Sequence, residues 1–179
     1  MKKIHVIWVM VMVCVININP IFGQSNSKKN KIIADSNTAK TEFIEKDALM
    51  KGLFDKAYGY VIFPNVGKGG FGIGGAAGNG AVYEHNKLIG MAKLAQLSIG
   101  FQAGGQAYRE VIFFESKREM ERFKDSQFEF SAQVSAVAVK SGVSANIKYT
   151  DGIMVFTMQK GGLMYEASIG GQKFKFNKL

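Results

Sequence analysis

The chain has 179 residues, of which 47% are hydrophobic and 21% charged, and its formal net charge is +9. This length supports one domain built around a single core rather than several domains. The excess of 23 basic over 14 acidic side chains favours an anionic partner such as a phospholipid surface or nucleic acid, although an excess that serves only solubility fits the composition as well.

The first 23 residues have the features of a secretory signal peptide. Lys2 and Lys3 form a positive start, residues 4–18 are largely apolar, and Gly23 offers the small residue that a cleavage site needs. The apolar stretch is shorter than the roughly 20 residues of a membrane-spanning helix. We therefore expect export to the periplasm or the extracellular space, which argues against nucleic acid as the partner.

Loss of the signal peptide would remove Cys14, the only cysteine, and would leave His85 as the only histidine. Disulfides, thiol nucleophiles and cysteine-bearing metal sites are then excluded. His85 lies in a polar turn, and no nucleophile-elbow motif accompanies it. The sequence therefore predicts no catalytic residue, no metal site and no cofactor, and we do not expect an enzyme.

Residues 24–37 are polar and lysine-rich, which predicts a flexible leader in front of a single domain over residues 38–179. A helical pattern follows from Thr38 to Tyr58, weakened at Gly52, where it could divide into two short helices. Such an amphipathic segment can pack on a sheet or lie on a membrane with its lysines towards the headgroups. We favour packing on a sheet, because the glycine-rich strand that follows needs a cover.

Eight of the fourteen residues from Gly67 to Gly80 are glycine. The spacing of Gly70, Gly72 and Gly75 matches a dinucleotide-binding fingerprint, but that fingerprint requires a following helix and an acidic residue about 20 positions later. Neither is found, because small residues and glycines continue and no carboxylate occurs between Glu84 and Glu110. The alternation of glycine with larger residues instead predicts a strand whose bare face another backbone can approach closely.

The remaining pattern is mostly β. We predict a short strand from Gly59 that ends at Pro64, a turn at His85–Asn86, and a run over residues 88–102 on which residues 106–114 pair back. A further alternating strand is predicted over residues 128–136.

One short internal helix interrupts the strands, and turns divide the C-terminal part. Ser116 and Glu119 form a capping box, with Met120 and Phe123 turned inward from the helix. Hairpin turns are predicted at three dipeptides: Asp151-Gly152, Gly161-Gly162 and Gly170-Gly171. The expected fold is α+β and mainly antiparallel, with a curled sheet or barrel-like core covered by the N-terminal helix.

Three ordered blocks resemble the SYLF domain. Residues 56–75, KAYGYVIFPNVGKGGFGIGG, are similar to its signature, residues 99–106 to its central block, and residues 160–170, KGGLMYEASIG, to its C-terminal block. The resemblance covers nearly all of the mature chain. It implies binding to membrane lipids, phosphoinositides in eukaryotic members, some of which also bind or bundle actin. It also implies lipid contact through the N-terminal helix, although acidic residues make that helix neutral here.

The leading hypothesis is therefore a non-enzymatic module that associates peripherally with anionic phospholipid outside the cytoplasm, where an actin partner is not expected. The candidate lipid-contacting residues lie in the helix, the glycine run and the last strand: Lys40, Lys46, Lys51, Lys56, Lys68, Lys173 and Lys175. The leader adds Lys28, Lys29 and Lys31. Two alternatives stay open, a structural or protein-interaction domain of the cell envelope and a carrier of a small apolar ligand.

Overall fold

The structure, a computed structural model, describes residues 22–126, 136–160 and 171–179, and for residues 22–25, 70–73 and 98–105 only the backbone. Its elements in chain order are α1 (Phe22–Lys46), α2 (Met50–Lys56), β1 (Gly59–Glu84), β2 (Lys87–Phe114), α3 (Lys117–Lys124), β3 (Val137–Ala138), a 3₁₀ turn (Val143–Asn146), β4 (Ile153–Gln159) and β5 (Gln172–Lys178). The predicted α+β class with a mainly antiparallel sheet is confirmed, and of the two predicted forms the structure has the curled sheet, which is not closed. Most of the predicted signal peptide, most of the strand predicted over residues 128–136 and the turn at Gly161-Gly162 lie outside the described residues.

A single long hairpin dominates the sheet. β1 and β2 pair antiparallel along their whole length, from Gly59 opposite Phe114 to Glu84 opposite Lys87. The predicted turn at His85–Asn86 is confirmed, and both residues have positive φ, 47° and 62°. Such angles at both central positions define the turn type whose twist matches that of the flanking strands.

Two details of the predicted strands are wrong. Pro64 does not end the first strand, because the pairing register shifts between Phe63 and Val66 and Pro64 lies within this irregularity of β1. A proline is tolerated there because no ladder hydrogen bond is required of it. Residues 106–114 do not pair back on the preceding run either, since they continue β2 and pair with the start of β1.

The hairpin curls until the two ends of β1 meet. A straight strand of 26 residues would be about 85 Å long. Instead the amide of His85 donates to the carbonyl of Tyr58 at 2.9 Å. A Cβ atom added to Gly80 would lie 2.5 Å from the carbonyl oxygen of Ile62. The close backbone approach predicted for the glycine run therefore occurs at its C-terminal end.

The far edge of β2 carries two further strands. β4 pairs antiparallel with Tyr108–Phe114 and β5 pairs antiparallel with Gly90–Gln96. Because both are antiparallel to β2, they run in the same direction and are not the two arms of one hairpin. The predicted turn at Asp151-Gly152 is confirmed by a pair of backbone hydrogen bonds between Thr150 and Ile153, of 2.9 and 3.0 Å.

The curl separates two cores. One lies inside it and contains Phe63, Leu94, Ile112 and Phe174 among others. The other lies between the sheet and the N-terminal helices, where Phe43, Met50 and Phe54 meet Tyr60, Ile62 and Phe113. Neighbouring residues of one strand thus enter different cores, as the period of two requires.

The N-terminal helices differ from the prediction in extent. Residues 24–37, expected as a flexible leader, belong to α1, and Ser36 is fully buried. The break between α1 and α2 falls at residues 47–49 and not at Gly52. The apolar sides of both helices are buried on the sheet, as the favoured interpretation of this segment predicted.

The predicted internal helix is confirmed as α3. Its N-cap is Ser116, whose hydroxyl oxygen accepts from the amide of Arg118 at 3.2 Å. The carboxylate of Glu119 accepts the Ser116 hydroxyl at 2.5 Å. The Ser116 N-cap therefore fixes where α3 begins, and the full burial of Met120 and Phe123 in the inner core fixes which side of α3 faces the sheet.

Asp47 ties the junction between α1 and α2 to the 3₁₀ turn. Its carboxylate accepts the amide and hydroxyl of Ser144, at 2.9 and 2.7 Å, and the amide of Leu49 at 3.1 Å. Burial alone would raise the pKa of Asp47, but these donors outweigh it and hold the pKa below its ordinary value.

We expect Asp47→Asn to lower the free energy of unfolding at pH 7 by about 1–3 kcal/mol, the cost of leaving buried donors without a charged acceptor. Because the folded pKa is depressed, the stabilisation is present above the unfolded pKa and is lost as the pH falls through the folded pKa. The two proteins should therefore converge in acid. Urea unfolding from pH 7 to pH 2 measures this, with the exposed Glu45→Gln as the control; a pH-independent difference would contradict it.

We expect Gly80→Ala to destabilise the protein by about 1–3 kcal/mol, because the new methyl group would overlap the backbone at Ile62. Gly67→Ala is the matched control, since a Cβ at Gly67 has no atom within 4 Å. Urea midpoints compare the two variants. Equal stabilities would show that the curl does not depend on contact at Gly80.

Candidate functional site

The outer face of the curled sheet carries three lysines in two neighbouring rows that cross β1, β2 and β5, and these lysines lie on β2 and β5. The register places Asn79, Lys93 and Lys175 in one row, with Lys93 and Lys175 directly opposite each other. The next row is Ala77, Ala95 and Lys173, and all members of this row are exposed. Two lysines directly opposite in a sheet destabilise it, so this placement calls for a reason beyond folding.

A groove adjoins these rows where the N-terminal half of α1 crosses the sheet. It has a volume of about 280 Å³. Its lining comprises Lys28, Lys29, Ile32, Asn79, Met91, Ala92, Lys93, Asn177 and Lys178. Four of these nine described residues are lysines and none has a carboxylate side chain. We call this groove, together with the exposed Lys173 and Lys175, the cationic face.

An exposed apolar side chain stands beside the cationic face. Leu97 on β2 is 85% exposed and is paired with Gly75 of β1. It lies two positions beyond Ala95 on the same side of the strand, because side chains alternate with a period of two. Small neighbours on β1 therefore leave Leu97 projecting next to the lysine rows.

The predicted lysines do not form one group. Lys173 and Lys175 belong to the cationic face, and their alternation with the buried Phe174 is as predicted. Lys46 and Lys56 are exposed on the helices, and Lys68 is half-buried on β1. Lys51 forms an ion pair with Asp55 at 2.6 Å. None of the helix lysines 40, 46, 51 and 56 lines the groove.

Lys40 is engaged within the protein. Its Nζ donates to the hydroxyl of Tyr60 at 2.9 Å and to Oδ1 of Asn86 at 3.3 Å. It also lies 4.8 Å from the ring centroid of Phe54, within range of a cation–π interaction. Burial lowers the pKa of Lys40 from its ordinary value. This lysine stabilises the packing of α1 on the hairpin turn and is poorly placed to meet a ligand in solvent.

Sequence reasoning missed Lys93 and Lys178 as site residues and treated Lys28 and Lys29 as part of a flexible leader. Alternation alone could have placed Lys93 on the outer face, because it precedes the apolar Leu94. The meeting of α1 with this face depends on tertiary packing, and no local pattern reports it.

Two negative findings apply to the described residues. Among them, no three His, Cys, Asp or Glu side chains lie close enough together to hold a metal ion. Within the same part of the chain, no helix has the length and apolar character needed to cross a membrane.

Comparison with known proteins supports the resemblance to the SYLF domain. Residues 95–178 match the Ysc84 family model, described as "Las17-binding protein actin regulator", which corresponds to the SYLF domain. The predicted resemblance is confirmed over this segment. The matched segment begins within β2 and ends in β5, so it includes Lys173 and Lys175 but not the groove lysines of α1.

A curated relative extends the similarity beyond that segment. The chain is 27% identical over 166 residues to Beta cell expansion factor A of Aeromonas veronii. The alignment covers 90% of this chain and 62% of the relative, so the chain spans less than two thirds of the relative's length.

Proposed function

We propose that this protein, which contains a segment similar to the SYLF domain, is a non-enzymatic module that acts outside the cytoplasm and binds anionic phospholipid membranes peripherally through the cationic face. One observation carries the proposal. Lys93 and Lys175 lie directly opposite each other, and Lys28, Lys29 and Lys178 line the adjoining groove without a carboxylate side chain among its described lining residues.

Electrostatics gives the physical reason. Repulsion between the opposed lysines costs stability in the free protein. An anionic surface would relieve this repulsion and would add about 1 kcal/mol for each lysine near it. The exposed Ala77 and Ala95 lie in the row next to Lys93 and Lys175 and have short side chains. They therefore leave room for a phosphate group to reach ammonium groups on both β2 and β5.

The structure favours the sheet over the N-terminal helices as the contact surface. The apolar sides of α1 and α2 are buried in the outer core, and their insertion into lipid would require both helices to leave the sheet. Lys40 is held by Tyr60 and Asn86, and Lys51 by Asp55. Membrane contact through the cationic face needs no such rearrangement.

We expect Lys93→Glu with Lys175→Glu to weaken binding to phosphatidylglycerol–phosphatidylcholine vesicles about thirty-fold or more, since at least 2 kcal/mol of attraction is removed. The control is Lys46→Glu with Lys56→Glu, which changes the net charge equally on the helices. Co-sedimentation at low salt measures both, and circular dichroism verifies folding.

Several results would contradict this proposal. Equal weakening by the two double variants would show that only net charge matters, and greater weakening by the helix variant would move the contact to α1 and α2. Equal binding to neutral vesicles, or no loss of binding as salt rises, would remove the electrostatic mechanism. Capture of an envelope protein without any vesicle binding would favour the interaction-domain alternative.

We expect Leu97→Ser to reduce the binding that persists at high salt about ten-fold, because insertion of a leucine side chain contributes about 1.5 kcal/mol or more. Leu49→Ser is the matched control, since Leu49 is 53% exposed at the junction of the helices. Vesicle flotation in 0.5 M salt, chosen as roughly three times physiological ionic strength, compares them. An unchanged Leu97→Ser protein would restrict the contact to the lysines.

A further inference from the structure

A polar cluster lies inside the curl, on the opposite side of the sheet from the cationic face. Glu110, Thr157 and Gln172 are each 0% exposed. Glu110 on β2 is the register partner of Thr157 on β4, so the two side chains project from the same side about 5 Å apart at Cβ. Gln172 reaches them from β5, and the three strands thus converge on one buried point.

The contacts of this cluster use only some of its oxygen atoms. Nε2 of Gln172 donates to Oε2 of Glu110 at 3.1 Å and to the hydroxyl of Tyr108 at 3.4 Å. Four buried oxygens of this cluster accept no hydrogen bond from the described part of the chain: Glu110 Oε1, Thr157 Oγ1, Gln159 Oε1 and Gln172 Oε1. Gln159 belongs to the cluster because it is the register partner of Tyr108.

The character of these atoms indicates what they would bind. The amide oxygens of Gln159 and Gln172 can only accept hydrogen bonds, and so can the carboxylate oxygen of Glu110 when it is ionised. The fourth atom is the Thr157 hydroxyl oxygen, which can both donate and accept. Buried acceptors without partners cost free energy, and a water molecule could donate to only two of them. A hard cation binds several oxygen ligands of these kinds at once.

The charge of the cluster limits the cation to one that is singly charged. Glu110 is its only carboxylate, and no ion pair joins Glu110 to a basic group among the described residues. Burial raises the pKa of Glu110 to about 8. A single positive charge beside Oε1 would offset this burial cost and leave the interior neutral, whereas a divalent ion would bury an excess charge.

We propose that Glu110, Thr157, Gln159 and Gln172 form a buried site for one alkali cation, sodium or potassium. The cation joins β4 and β5 to the central strand β2 inside the curl. Its function is structural, and it is independent of lipid binding, because its ligands face the inner core while the lysines face solvent.

The test is thermal unfolding of the purified protein at pH 9, where the carboxyl is ionised, in choline, sodium or potassium chloride of equal ionic strength. A cation that binds only the folded state raises the melting temperature, and the rise depends on how far the cation concentration exceeds the dissociation constant. We expect a rise of about 3–6 °C at a tenfold excess over the dissociation constant, for sodium, potassium or both, relative to choline.

Three variants make the test specific. Glu110→Gln keeps the shape of the side chain and removes its charge, and it should lose the response to the cation. Thr157→Val keeps the charge and removes one ligand, so it should require a higher cation concentration for the same rise. Glu45→Gln, on the exposed side of α1, should respond like the unaltered protein. Circular dichroism in choline chloride establishes that each variant folds.

The proposal is overturned by equal melting temperatures in the three salts, or by a Glu110→Gln protein that responds like the unaltered one. A rise with calcium or magnesium but with neither alkali cation would also overturn it. If Glu110→Gln does not fold, the test rests on Thr157→Val. Its melting temperature should then rise at higher cation concentrations than that of the unaltered protein, and the same concentration dependence in both proteins would overturn the proposal.

Discussion

The contact of β1 with itself is the constraint on which the rest of this structure depends. Residues near Ile62 and residues near Gly80 belong to one strand, yet their backbones lie at van der Waals distance. Two side chains facing each other there would hold the strand ends apart, and the hairpin would stay open. The glycines at the end of the run therefore allow the sheet to curl, and the curl gives the sheet an inner and an outer face.

The division into inside and outside gives each strand two roles. On β5, Phe174 and Gln172 face the inner core, whereas Lys173 and Lys175 face solvent. The cationic face and the buried cluster around Glu110 therefore use the same strands, β2 and β5, but the lysines lie in solvent and the cluster lies in the protein interior. An exposed ammonium group such as that of Lys175 keeps contact with water, whereas a buried carboxyl group must find a compensating partner or stay neutral.

The position of α1 completes the cationic face and also restricts how the protein could meet a membrane. Its C-terminal half is held on the outer core by Phe43 and by the contacts of Lys40. Its N-terminal half brings Lys28 and Lys29 over the sheet beside Lys93. The charge that α1 adds to this surface thus comes from the segment predicted as a leader, and not from the lysines of residues 38–58 that the SYLF resemblance associates with lipid contact.

Local chemistry determined much of this protein from its sequence. The turn at His85–Asn86, the helix start at Ser116 and the alternation around Phe174 are each set by neighbours within a few residues, and each prediction was confirmed. The long-range features were decided only by the tertiary structure: the pairing of β1 with β2 from end to end despite its register shifts, the helical state of residues 24–37 and the meeting of lysines from α1, β2 and β5. These features arise because distant segments bury one another's apolar faces, and the free energy of that burial overrides the local signals of a proline or a polar stretch.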